Sequence, residues 1–216
     1  MTKPGEKIGS VQSVNVGRPR TVRWQGREVT SAIWKMSVTG RVPVRGVNVE
    51  GDEQADLRVH GGPDKAVYTY SADDYAWWEV ELGRRMPPGI FGENLTLRID
   101  ALGDAVVGER WLVGSCELEV CQPRLPCYKL GMKMGDPMFV RRFGDAGRPG
   151  AYLRIVREGD VAAGDEISIV SRPDHDVSVL LVSRALLGDH DLAPQLLAAS
   201  GLPEPLQTWA RERMHR

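Results

Sequence analysis

Cys121-Gln122-Pro123-Arg124-Leu125-Pro126-Cys127-Tyr128-Lys129-Leu130 is the stretch from which the chain is best read. It leaves a run that alternates like a strand and enters a loop stiffened by two prolines. Proline fixes φ and carries no N–H, so the sheet ladder is not expected to pass through Pro123 or Pro126. Such a loop holds Cys127 in a narrow range of positions. Arg124 and Lys129 are close in sequence, and nearby cations favour the thiolate, the form that acts as nucleophile or metal ligand. The bland alternative is that Cys127 is a small buried apolar residue, as free cysteines commonly are.

The strand before this loop carries the other two cysteines. In residues 115–121, Cys116, Leu118 and Val120 alternate with Glu117, Glu119 and Cys121. A period of two puts Cys116 with the core and leaves Cys121 on the polar face or past the strand end. Three cysteines do not make a disulfide framework. They are too few for an all-cysteine iron–sulfur cluster, and their spacing lacks the paired knuckles of structural zinc sites.

The totals bound the rest. A chain of 216 residues with 42% hydrophobic and 26% charged residues is an ordinary globular composition. A formal net charge of −1 argues against a general nucleic-acid binder. The longest aliphatic run, residues 179–182, is far short of a membrane span, and the N-terminus has no apolar stretch of the kind that directs secretion. A cytoplasmic location, with neither a membrane nor a nucleic acid as partner, is the expectation. Neither a dinucleotide-binding nor a P-loop glycine fingerprint is present, so electrons for any redox reaction would come from another protein.

Residues 8–49 read as short strands punctuated by glycine, clearest over 8–16 and 29–38. A strand at about 66–70 leads into a helix over 72–82, capped by Ser71 with Asp74 as the acidic third residue and stopped by Gly83. Trp78 belongs to the buried face of that helix. Two stretches, 107–113 and 163–169, each read as a Gly-acidic turn onto a strand. From about residue 173 the texture becomes helical: 177–187, 192–199 and 206–214, with Leu180, Leu181, Leu187, Leu196, Leu197, Leu206 and Trp209 as the expected core. The organisation is thus a mainly β domain over 1–172 and a small three-helix subdomain over 173–216. The basic end of the tail (Arg211, Arg213, His215, Arg216) reads as a solvated face, with docking of an acidic redox partner as the alternative.

Two further stretches could meet a ligand. In His60-Gly61-Gly62-Pro63-Asp64-Lys65 the glycines allow close backbone approach, and His60 and Lys65 offer charge to a phosphate; an ordinary turn is the competing reading. In Phe91-Gly92-Glu93-Asn94-Leu95 the side chains of Glu93 and Asn94 could address the edge of a heterocycle.

Taken together, residues 57–67, 91–95 and 122–130 resemble the MOSC family, named for the C-terminal domain of molybdenum cofactor sulfurases, and within it the YiiM-like branch. The turn at 51–55 and the helical tail fit the same likeness. The resemblance implies a β-barrel with a C-terminal three-helix subdomain. It also implies a molybdenum cofactor of molybdopterin type whose metal takes Cys127 as its protein ligand. His60, Gly61, Gly62, Lys65, Asn94 and Arg124 would then hold the pterin and its phosphate. The implied activity is reduction of N-hydroxylated compounds such as 6-hydroxylaminopurine, fed by an external flavoprotein or ferredoxin-like donor, in a monomer or homodimer. His60 and Tyr128 are both proton-donor candidates, and Cys121 has no assigned role. A carrier without turnover, with Cys127 as a persulfide or cofactor-handling thiol, is the competing account.

Overall fold

Strand residues here alternate between a packed and a solvated side, and the sheet they form closes on itself to leave one dry interior. The computed structural model describes residues 4–53 and 61–214. Its first half runs β1 (Lys7–Val16), β2 (Arg20–Trp24), β3 (Arg27–Ser31), β4 (Met36–Val38), β5 (Val42–Arg45) and β6 (Asn48–Val49). Then come β7 (Val67–Ser71), helix α1 (Ala72–Leu82), β8 (Leu95–Ile99), β9 (Arg110–Val113) and β10 (Cys116–Pro123). Helices α2 (Tyr128–Met134) and α3 (Phe139–Asp145) follow, then β11 (Ala151–Arg157), β12 (Gly159–Val161) and β13 (Glu166–Ser171). The tail holds α4 (Val179–Leu187), a 3-10 segment (His190–Ala198) and α5 (Glu204–Arg213).

Seven strands, in the order β13-β9-β10-β11-β7-β8-β1, form a barrel that closes where β1 meets β13, with β4 added beside β1. β1 can serve both neighbours because it bends: its register shifts between Lys7 and Gly9. A Cβ on Gly9 would stand 2.1 Å from the Arg98 carbonyl oxygen, so only glycine allows the two backbones to pass so closely there. Within the barrel only β7 and β8 pair in parallel, and α1 makes the crossover between them. The two similar Gly-acidic turns lead onto β9 and β13, which pair antiparallel. The barrel interior is filled by Val11, Val14, Leu95, Leu97, Trp111, Leu118, Leu153 and Ile167 with their neighbours.

A second core of Tyr68, Tyr70, Tyr75, Trp78, Phe91, Leu130, Phe139 and Phe143 lies between the barrel wall and helices α1 to α3. The helical tail has its own cluster, including Val182, Leu196, Leu202 and Ala210, joined to the barrel through Val107 and Val177.

The ladder does not pass through Pro123: it ends there, with Pro123 as the last residue of β10 opposite Ala151, after β9 has already ended opposite Glu119. Other expectations are corrected. The run 29–38 is two strands interrupted at 32–35, and residues 128–134 and 139–145 are helices that the sequence had left unassigned. Ser71 does cap α1, accepting from the Asp73 N–H at 3.1 Å, and Gly83 adopts the left-handed conformation, but Asp74 pairs with Arg148 rather than closing a capping box. The middle tail element is 3-10, with Pro194 inside it, and Leu187 is exposed rather than core. Residues 54–60, including His60, lie outside the described residues, as do 1–3 and His215 with Arg216.

The neighbours Trp77 and Trp78 have opposite fates, one over Arg148 at the surface and one 1% exposed in the aromatic core. Trp78→Ala should lower the unfolding free energy by about 3–5 kcal/mol, and Trp77→Ala by no more than about 1 kcal/mol. Urea unfolding of both variants checks this.

Candidate functional site

A partly open cleft occupies the barrel end where β1 and β10 finish and β7 and β8 begin. It is lined by Lys65, Asn94, Arg124 and Cys127, and these are four of the residues singled out from sequence. Gly61 and Gly62 are not on its lining. They lead into a single 3-10 turn (Pro63–Lys65), for which Gly62 supplies a φ of 95°. That turn is fixed from beneath: Arg154 donates to Asp64 Oδ1 at 2.6 and 3.0 Å, and Gln122 Nε2 donates to the Asp64 carbonyl at 3.2 Å. Lys65 is thereby carried to the cleft. Burial lowers its pKa, and Asp64 works in the other direction.

Cys127 is the residue from which α2 springs, with its backbone extended and its carbonyl accepting the Leu130 N–H at 2.9 Å. Its side chain is half-buried and faces the cleft. The other thiols are fully buried, and burial pushes Cys116 up to about 11 and Cys121 up to about 12. The Cys121 thiol donates to the Glu119 carbonyl at 3.3 Å. Neither forms the reactive thiolate near neutral pH, which leaves Cys127 as the cysteine open to the cleft. Among the described residues no three His, Cys, Asp or Glu side chains gather as a metal cluster.

Arg124 is 6% exposed, and its Nη1 is buried with no hydrogen-bond partner among the described residues. The guanidinium lies 5.5 Å from the ring centres of both Tyr68 and Phe143. Burial opposes its charge, yet its pKa stands above the ordinary value because Tyr68, Cys127, Tyr152 and Tyr70 surround it. The phenols of Tyr68 and Tyr152 are themselves pushed up by burial and so stay neutral. The result is a fixed cation with a free donor in a cleft whose walls include Tyr68, Phe91 and Tyr152.

The opposite wall is a largely internal hydrogen-bond network, with Glu93 Oε2 the atom left without a partner among the described residues. Lys35 pairs with Asp52, and Asp52 Oδ1 accepts the Gly17 N–H at 2.8 Å. Asn94 Nδ2 donates to Asp52 Oδ2 at 2.9 Å, and Asn94 Oδ1 accepts the Tyr68 N–H at 3.1 Å. Asn94 therefore joins the start of β7 to the Asp52 turn, although it also borders the cleft. Glu93 is fully buried, and its Oε1 accepts from Tyr75, Gly89 and Thr96, so it shapes the turn at 89–94 and does not face a ligand. Lys133, on the last turn of α2, donates to the carbonyls of Ile33 and Gly89. It ties the helix that begins at Cys127 to both loops of the facing wall. Lys129 lines the cleft from the first turn of the same helix.

These features sit within a recognisable set of relatives. A family model described as MOSC domain matches residues 56–168. The chain is 30% identical over 214 residues to Protein YiiM of Escherichia coli, covering 96% of this chain and 89% of that one. It is 35% identical over 193 residues to a protein of Gibberella moniliformis named Reductase, covering 86% of this chain but 33% of the fungal protein. The chain thus spans about a third of that relative's length. In structure it resembles YiiM of Geobacillus stearothermophilus, with a TM-score of 0.78, 28% identity, and 95% and 99% of the two chains covered.

Lys133 makes the wall sensitive to pH. Burial lowers its pKa to about 7; Glu93 opposes the shift, while Arg124, Lys35 and Arg20 add to it. The unfolded chain therefore binds the extra proton between about pH 7 and pH 10.4, and folding stability should rise with pH across that window. The wild-type slope should exceed that of Lys133→Met by up to about 1.4 kcal/mol per pH unit. Urea unfolding of both proteins at pH 7.5 and 9 measures it.

Proposed function

The chain belongs to the MOSC domain family, and from that premise we propose that it is a molybdenum-cofactor-dependent reductase of N-hydroxylated compounds, with Cys127 as the metal's protein ligand. The observation that carries this reading is the pairing, in one cleft, of an accessible thiol with a buried guanidinium whose Nη1 lacks a partner. A buried donor left unsatisfied is costly, and an anion in the cleft would relieve that cost. A pterin phosphate has the required charge, and a soft thiolate suits the metal. The donor set therefore fits the cofactor.

When bound, the cofactor supplies the two-electron chemistry that removes oxygen from nitrogen. The chain's own residues do the rest. Arg124 and Lys65 bring positive charge to the phosphate. Tyr68, Phe91 and Tyr152 present apolar surface to a flat ring. The Lys35–Asp52–Asn94 network and the Lys133 tie hold the facing wall in place. The overall change is R–NHOH plus two electrons and two protons to R–NH2 plus water. The donor in this proposal is a flavoprotein or a ferredoxin-like carrier, since the 216 residues carry neither a dinucleotide-binding fingerprint nor cysteines enough for an all-cysteine cluster. A cytoplasmic setting is part of the same proposal; no described helix is long and apolar enough to cross a membrane.

Two substitutions test the reading in protein made by a host that synthesises the cofactor. Cys127→Ser should lose molybdenum and lower hydroxylaminopurine reduction at least about a hundredfold, since outer-shell changes alone can cost about 10–100-fold. Retained molybdenum with unchanged turnover would end the proposal, and an extra sulfur on wild-type Cys127 with no molybdenum would favour the carrier. Arg124→Met should lose cofactor while its thermal midpoint stays level or rises, because it replaces an incompletely satisfied buried charge by an apolar side chain.

A further inference from the structure

The ribbon of β2 and β3 pairs only with itself and stands apart from the barrel sheet. Its two-residue turn, Gln25 at φ 47° and Gly26 at φ 79°, is of the kind that makes a tight hairpin. Register sorts its side chains. Arg20, Val22 and Trp24 pair with Ser31, Val29 and Arg27 on one face, while Thr21 and Arg23 pair with Thr30 and Glu28 on the other. A two-stranded ribbon is marginal in water by itself. This one nevertheless keeps Val22, Trp24 and Val29 no more than half-buried.

Its charge is the second observation. Residues 18–31 hold four arginines and one glutamate in a chain whose net charge is −1. Elsewhere on the surface, Arg41, Arg45, Arg110, Arg141, Arg184 and Arg211 each meet a carboxylate, while Arg85, Arg98 and Arg157, scattered past the end of α1 and over β8 and β11, have no ion pair among the described residues. Arg18 approaches Glu53 at only 3.9 Å, and Arg20 lies 3.8 Å over the Trp34 ring. Arg23 and Arg27, both exposed, have no ion-pair partner among the described residues. An arginine-rich ribbon with a tryptophan has the composition of a recognition surface.

Position gives the third. Ser31, the last residue of β3, lines the cleft, as do Ala32, Ile33 and Lys35 after it. A body seated on the ribbon therefore lies at the mouth of the cleft that holds Cys127. Leu125 and Tyr128, either side of Cys127 in the sequence, are 42% and 55% exposed. We propose that the β2–β3 ribbon is the docking arm for an acidic electron-transfer protein that reduces the centre in the cleft.

This assignment rests on the reductase reading above. The acidic partner follows from charge complementarity, which sets encounter rate and orientation. A small phosphorylated substrate fits less well: Arg27 is four residues beyond Ser31, about 13 Å along a strand, too far to hold a molecule inside the cleft. The tail, the other basic candidate in the sequence, has its described arginines engaged, Arg211 with Glu204 and Arg213 over Trp209.

The test is the double variant Arg23→Glu with Arg27→Glu, prepared with cofactor. Dithionite-reduced [2Fe–2S] ferredoxin and flavodoxin, both acidic, serve as protein donors, and reduced methyl viologen as a small one. With at least one protein donor, the wild type should show a kcat/KM that falls as salt rises from 50 to about 500 mM. The variant should lose at least about tenfold of that kcat/KM at low salt and respond little to salt, with molybdenum content and viologen-driven turnover unchanged. Equal kcat/KM and salt response in the two proteins would overturn the docking arm. So would an equal loss with viologen, which would assign the arginines to substrate instead. Wild-type protein that turns over with no donor, viologen included, would mark failure of the reductase reading. Binding of the oxidised donors, read by fluorescence anisotropy, then decides the docking arm independently: equal binding by wild type and variant, or none by either, would sink it.

Discussion

A guanidinium kept out of water with no carboxylate beside it is the constraint around which this barrel end is organised. Taking a charge from water costs several kcal/mol, and arginine cannot avoid the cost by giving up its proton. What surrounds Arg124 offsets part of it: the faces of Tyr68 and Phe143, and the neighbouring phenol of Tyr152. None of these removes the charge, and Nη1 still has no acceptor among the described residues. Elsewhere the chain readily supplies carboxylates. Arg154 has both Asp64 and Glu119, and Arg148 has Asp74. The contrast sets Arg124 apart as a buried cation without a carboxylate partner among the described residues.

The rest of the cleft is arranged so that this cation stays where it is. Pro123 ends the β10 ladder one residue earlier, and Cys127 begins α2 three residues later, so Arg124 is bracketed by two fixed elements. Across the cleft, most polar groups are matched among themselves. Asp52 accepts from Lys35, Asn94 and the Gly17 N–H; Glu93 gathers three donors on one oxygen, its other oxygen having none among the described residues; and Lys133 reaches two carbonyls. A wall with most of its polar groups tied to one another is stiff. One half of the cleft is therefore frame, and the other half carries the free donor and the free thiol.

Period and punctuation made much of this legible. The alternation around Cys116, Leu118 and Val120 placed β10, and Ser71 with Gly83 bounded α1 on both sides. The two prolines and the residues between them pointed to Arg124 and Cys127. Less legible were features that exist only once the barrel closes. Lys35, Asp52 and Lys133 are 17 and 81 residues apart in sequence, and nothing local marks them as neighbours across one wall. Helices α2 and α3 are seven residues each, with Gly131, Gly135 and Pro137 in or between them, so their punctuation resembles a loop. Asn94 and Glu93 were read as facing a heterocycle because a side-chain inventory lists what a group can bond, not what it meets. In the folded chain the backbone at Tyr68 and Gly89 reaches them first.

The three cysteines show how burial sorts chemistry that composition leaves undivided. Cys116 and Cys121 sit in the dry sheet, where burial outweighs the pull of Arg45 and Arg41 on one and Arg154 on the other; their thiols are raised to about 11 and about 12 and remain small apolar residues. Cys127 is placed just beyond the same strand, past two prolines, where the chain turns out of the barrel and the side chain reaches a cleft lined by Lys65, Arg124 and Lys129. Cys121 lies only six residues from Cys127, yet the strand end separates them into different dielectric surroundings. Without the turn at Pro123 the ladder would carry Arg124 and Cys127 onward along the barrel wall, and the cleft would lose both its cation and its sulfur. The geometry of one strand terminus thus decides which thiol is available for chemistry.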